Sequence, residues 1–122
     1  MSQAEMPLLG LVSRPLIEAT AQEMACVKCM SDAVDLCLRK ARMNYAELAG
    51  EIGVSKSYLS MLMNGTRRWQ CHHIERVIAA TRCLAPHQYS ASRLGVDVYV
   101  DPVKVELAQA ERRVQELRAQ VA

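Results

Sequence analysis

The apolar positions of this chain recur mostly at spacings of three and four, the period that puts side chains on one face of an α-helix. Ile17, Ala21 and Met24 form a first series with Val27 following; Pro15 stands where a helix can begin, and Glu18 lies in its first turn. A second series, Val34, Cys37, Leu38 and Ala41, follows Ser31 and Asp32, which read as its N-cap. Periodicity alone leaves residues 16–42 open as one bent helix or two. Asn44 followed by Glu47 has capping-box spacing for a helix through Leu48 and Ala49 that stops at Gly53. Ser55 caps the next, whose Tyr58, Leu59 and Leu62 stand at packing spacing, and Asn64-Gly65 ends it. Beyond a basic loop, Thr66-Arg67-Arg68-Trp69, the residues Cys71, Ile74, Val77 and Ile78 mark another amphipathic helix. Pro86 opens a short helix that Gly95 closes. Val96, Val98 and Val100 then alternate with Asp97, Tyr99 and Asp101, a strand-like period of two, before Pro102 and a last helix over residues 103–122. Residues 1–14, with Pro7, Gly10 and Ser13, show no sustained period and read as an irregular arm.

Composition narrows the fold class. The 122 residues are 51% hydrophobic but only 4% aromatic, with no Phe, so aliphatics, Met and Ala must fill the core. That favours an all-α domain with appendages over an aromatic-rich sandwich or barrel. No apolar run approaches the ~20 residues of a membrane helix. The first five residues lack the positive start of a secretory signal. Five cysteines at irregular spacing argue against a secreted disulfide framework, which leads to the expectation of a cytoplasmic chain with reduced thiols. The net charge of +2 hides an uneven distribution: −3 over residues 1–35, +6 over residues 36–94 and −1 over residues 95–122. A basic middle invites a polyanion as partner.

The basic segment contains the most informative stretch, residues 45–65. Two short helices joined by a three- or four-residue turn need a small residue at their crossing, a flexible residue in the turn and apolar residues to hold the angle. Ala49 supplies the first and Gly53 the second, with Leu59 packing six residues after the glycine. Leu48, Ile52, Val54 and Leu62 fill the wedge. The sequence Ala46-Glu47-Leu48-Ala49, then Gly53-Val54-Ser55, Tyr58-Leu59-Ser60 and Asn64-Gly65 followed by arginines resembles the helix-turn-helix of the phage Cro and repressor (lambda-repressor-like) family. The match covers about residues 32–82, and it departs from the family pattern at Trp69, where many relatives have proline, and in its 30-residue leader.

The resemblance implies a lambda-repressor-like bundle of four to five helices over residues 32–95. An arm and leader helix (1–31) would precede it, and a strand-like linker with a C-terminal heptad helix (96–122) would follow. It implies a transcriptional regulator, by default a repressor of phage or mobile-element type, acting in the host cytoplasm on double-stranded DNA. In such a fold the second helix of the motif enters the major groove. By resemblance the base-reading residues are Ser55, Lys56, Ser57 and Met61, with Lys56 able to donate to guanine and Met61 to offer apolar contact to a thymine methyl. Asn44, Tyr45, Asn64, Thr66, Arg67 and Arg68 are the expected phosphate contacts.

The family usually binds a two-fold operator as a homodimer, and the tail offers a means. Val103, Leu107, Ala110, Val114, Leu117 and Val121 alternate by four and three, a heptad seam. With Leu107, Val114 and Val121 at a, an antiparallel pair brings Glu106 near Arg113 and Glu111 near Arg118, whereas a parallel pair opposes like charges. Folding of the tail onto its own domain is the alternative. A protein-interaction factor, such as an antitoxin or an inhibitor of a host protein using leader or tail, is the competing function. Cys26 and Cys29 have metal-ligand spacing, but no second tight cysteine pair follows, so both read as core thiols rather than ligands. His72 and His73 are expected to cap or flank a helix. The sequence carries no phosphate-binding glycine loop, nucleophile elbow or evident carboxylate pair, so no enzyme, cofactor or metal is expected.

Overall fold

The structure, a computed structural model, describes residues 15–121; the expected N-terminal arm over residues 1–14 lies outside them. Seven helices occur among the described residues: α1 (Ala21–Ala25), α2 (Met30–Ala41), α3 (Tyr45–Ile52), α4 (Lys56–Met63), α5 (Cys71–Thr81), α6 (Ala85–Ser92) and α7 (Pro102–Val121). The fold is all-helical, and the only extended pairing among these residues is an isolated parallel bridge between Ile17 and Cys83.

Local chemistry explains most boundaries. Asn44 accepts the Glu47 N–H at 2.8 Å while the Glu47 carboxylate accepts the Asn44 N–H at 3.2 Å, a reciprocal cap that starts α3. Gly53 ends α3 in the left-handed region at φ 76°, where a Cβ would also stand 3.2 Å from Arg76 Nη1. Ser55 Oγ accepts the Tyr58 N–H at 3.0 Å and starts α4. Thr20 and Glu23 make a second capping box, so the first helix begins at Ala21.

That last boundary corrects the expected start near Pro15. Residues 16–19 are extended instead: Ile17 N donates to Arg82 O at 2.8 Å, and Leu84 N donates to Ile17 O at 2.9 Å. The leader's backbone groups are satisfied by this pairing rather than by helix. Residues 16–42 form two helices, and α2 starts one residue ahead of Ser31, with Cys29 as its N-cap. Asp32 does not cap it; its carboxylate accepts the Lys28 N–H at 2.9 Å and pins the incoming turn. The alternating valines of residues 96–100 do not form a strand either. Among the described residues no backbone ladder pairs with them; Val98 and Val100 pack on the core, and Val100 N donates to Glu18 Oε1 at 2.7 Å.

The core is aliphatic. Leu48, Ile52, Leu59, Leu62, Val34 and Val77 are fully buried, each stabilising the fold by roughly 1.5–3 kcal/mol if counted as transfer from water. α3 packs on α4 and α5, and α2 packs on α5 and most extensively on α6. Cys37 and Cys83 are fully buried, with Cys37 Sγ donating to Cys83 O at 3.6 Å. The hydrogen bond between these two cysteines and their burial push the Cys37 thiol well above its ordinary pKa, so it is a protonated packing residue. Cys26 and Cys29 are exposed, contrary to the expectation of core thiols, because they stand in the turn between α1 and α2 rather than on a packed stripe.

Candidate nucleic-acid interface

α3 and α4 are joined by residues 53–55, and three contacts fix this corner. Ala49, nearly buried, lets the two helices approach; Val54 N donates to Ala49 O at 3.0 Å; and Arg76 Nη1 reaches from α5 to donate to Ile52 O at 2.9 Å. No motif in the sequence marks Arg76. Only the fold reveals that it closes the C-terminal end of α3. Leu59 and Leu62 anchor the inner face of α4, so its outer face is presented to solvent by a well-packed support.

On that outer face, Lys56 and Ser57 are exposed in the first turn, and Met61 is exposed one turn beyond Ser57 on the same side. Ser55, the fourth expected base-reading residue, uses its Oγ to hold the cap, which leaves its hydroxyl hydrogen for another partner. The loop that leaves α4 is also ordered locally. Asn64 Oδ1 accepts from Thr66 N at 2.9 Å and from Thr66 Oγ1 at 2.6 Å, and Arg67 N donates to Met61 O at 3.1 Å. The Arg67 guanidinium lies over the Tyr58 ring at 5.6 Å, which holds its charge beside α4. Arg68 is exposed on the same loop.

Tyr45 differs from its neighbours. It is exposed at the start of α3, but its hydroxyl donates to Asp35 Oδ1 at 3.0 Å. Burial and the adjacent Asp35 carboxylate hold the phenol above its ordinary pKa. A Tyr hydroxyl has one hydrogen to donate, so contact with an anion requires release of Asp35.

Behind α4 stands a ring cluster. His73 lies 5.8 Å from Tyr58, 6.5 Å from Trp69 and 4.1 Å from His72. His73 is buried, and its Nδ1 accepts the Gln70 N–H at 3.3 Å, capping α5 as expected of one histidine of the pair. Burial, with His72 and Arg76 as nearby positive charges, holds its pKa below the ordinary value. Trp69 Nε1 donates to Ser31 Oγ at 3.3 Å, tying the loop to α2. A groove of about 710 Å³ is lined by this loop together with α2, α4, α5 and α6, and Arg93 and His87 join Arg67 and Arg68 around it. Arg93 and His87 carry no sequence motif, and only the packing of α6 brings them to the loop.

The remaining site is on α7. Leu107, Ala110, Val114, Leu117 and Val121 share one face at about 100° per residue, and among the described residues it is uncovered: Leu107 is 57%, Val114 45% and Leu117 60% exposed. The opposite face, with Val105, Ala108 and Arg112, shares a cavity of about 280 Å³ with Leu16, Leu84 and Val98. Among the described residues no group of three or more His, Cys, Asp or Glu is placed to hold a metal ion, and no helix is long and apolar enough to cross a membrane. Compared with protein families, with curated proteins and with solved structures, the chain matches none.

Proposed function

We propose that this chain is a sequence-selective DNA-binding regulator of lambda-repressor-like type, acting as a repressor of phage or mobile-element origin on a two-fold operator. The single observation that carries the proposal is the corner formed by α3, residues 53–55 and α4. It is braced from behind by Arg76 and presents Lys56, Ser57 and Met61 outward beside the basic loop of Arg67 and Arg68. In this proposal α4 lies in the major groove; Lys56 and Ser57 hydrogen-bond base edges, and Met61 meets a thymine methyl. Arg67 and Arg68, with Asn44, Asn64 and Thr66, hold phosphates and fix the register. Tyr45 joins them once Asp35 is displaced. Occupying the operator then excludes polymerase.

One such motif reads few base pairs, so the proposal includes a homodimer formed through the exposed apolar face of α7. Selection of bound duplexes from a random pool tests the function: a two-fold consensus with half-sites about one helical turn, ~34 Å, apart is expected. A pool without enrichment contradicts it. The same uncovered face of α7 favours a second reading, a factor that holds another protein through its tail. A stable heteromeric complex together with sequence-indifferent DNA binding distinguishes that outcome.

A further inference from the structure

We infer that the groove behind the Arg67–Trp69 loop is a binding site for a small amphiphilic anion, an apolar body carrying one negatively charged head, and that its occupation opposes DNA binding. The volume of about 710 Å³ falls within the range of small-molecule sites, about 300–1,000 Å³. The two halves of the groove differ in chemistry. Met30, Leu62, Met63, Trp69 and Ile74 give an apolar wall, and Leu62 and Ile74 within it belong to the buried core. Arg67, Arg68 and Arg93 come from two separate elements to its border, where Glu75 is the only carboxylate among the described residues. The N-terminal residue of α5, Cys71, also lines it, so the positive end of that helix dipole adds to the same field. An apolar wall with three arginines at its border, two of them lying over the Tyr58 and Tyr89 rings, favours an anion with a hydrophobic body over a neutral or cationic one.

The regulatory half of the inference rests on the proposed DNA-binding function, because Arg67 and Arg68 are shared. A head group held in the groove draws both guanidinium groups away from DNA phosphates. It also sits against Trp69, whose indole ties the loop to Ser31 on α2. Ligand and DNA therefore compete for the same charges, and each weakens the other's binding by the same factor.

Trp69 is the only tryptophan in the chain, so its emission reports the groove directly. Titration of the full chain with decanoate, below its micelle range, is expected to give a saturable change in Trp69 emission. Decanol, the neutral counterpart, is expected to bind at least about tenfold more weakly, and R93Q to weaken decanoate by about tenfold with an unchanged circular dichroism spectrum. Arg93 lies outside the proposed DNA contacts, so R93Q is expected to bind DNA like the parent chain but to lose the inhibition by decanoate. No saturable change, an equal response to decanol, or full decanoate affinity in R93Q overturns the site. A saturable decanoate response that leaves DNA affinity untouched overturns the competition. The fluorescence titration contains no DNA, so its failure leaves the DNA-binding function standing, and failure to bind duplex leaves the groove standing.

Discussion

His73 and Arg67 show how a single side chain serves two neighbours. The buried His73 ring accepts the Gln70 N–H, packs on Tyr58 and Trp69, and is held below its ordinary pKa first by burial and then by His72 and Arg76. In the window between its folded pKa and the ordinary 6.5, the unfolded chain therefore binds more protons than the folded one. Its contribution is complete above that ordinary value and is lost as pH falls through the folded pKa. Urea denaturation between pH 5 and 8 should show stability falling on the acid side, and a His73→Gln variant, which keeps an acceptor but cannot take the proton, should flatten that slope. An unchanged slope would assign the acid sensitivity elsewhere. Arg67 lies over Tyr58 and, in the proposed function, also meets a phosphate. Arg67→Gln is expected to weaken binding to all duplexes alike and to flatten the salt dependence by about one unit, read from affinities over a salt series.

At the scale of elements, the corner between α3 and α4 depends on a backbone that only glycine adopts easily. A Gly53→Ala change meets both the φ of 76° and the Arg76 guanidinium at 3.2 Å, so a loss of about 1–2 kcal/mol is expected in chemical denaturation. Asn44→Ala removes one arm of the reciprocal cap and should cost about 1 kcal/mol. These features were legible in the sequence because caps and stops are local: Asn44, Glu47, Gly53 and Ser55 act on backbone within three or four residues of themselves. The misread elements depend on distant partners. Ile17 donates to Arg82 and accepts from Leu84, and Val100 donates to Glu18, so residues 16–19 and 96–100 are extended for reasons outside their own windows. An alternation of valines signals a half-buried extended segment, and whether it becomes a strand depends on a neighbour that local sequence does not reveal. Arg76 is invisible for the same reason, since it acts on an element other than its own, and Arg93 because only the packing of α6 brings it to the groove.

The whole molecule has two faces with different partners in prospect. One combines α4 with the basic loop, within the segment of residues 36–94 that carries the net +6. The other is the apolar face of α7, which points away from the face that meets Leu16 and Leu84. A helix that rests on its own domain through one side can still pair through the other, so intramolecular packing and dimerisation are compatible here. Removing residues 102–122 is expected to leave a folded monomer, seen in sedimentation as a single-chain mass where the parent chain shows a two-chain one, and a dimer that persists would exclude α7 as the dimer contact. In the proposed function, selectivity belongs to this scale too, because it requires two copies of α4 at a fixed spacing as well as the side chains on each. The most direct measurement is the ratio of affinities for a selected two-fold duplex and a scrambled one, taken at one salt concentration for the parent chain and for Lys56→Ala. The expected ratio is about 10³ or more for the parent chain, narrowed about tenfold by the substitution through loss of one base contact. A ratio near one for the parent chain, or an equal loss on both duplexes in Lys56→Ala, would contradict base reading by α4.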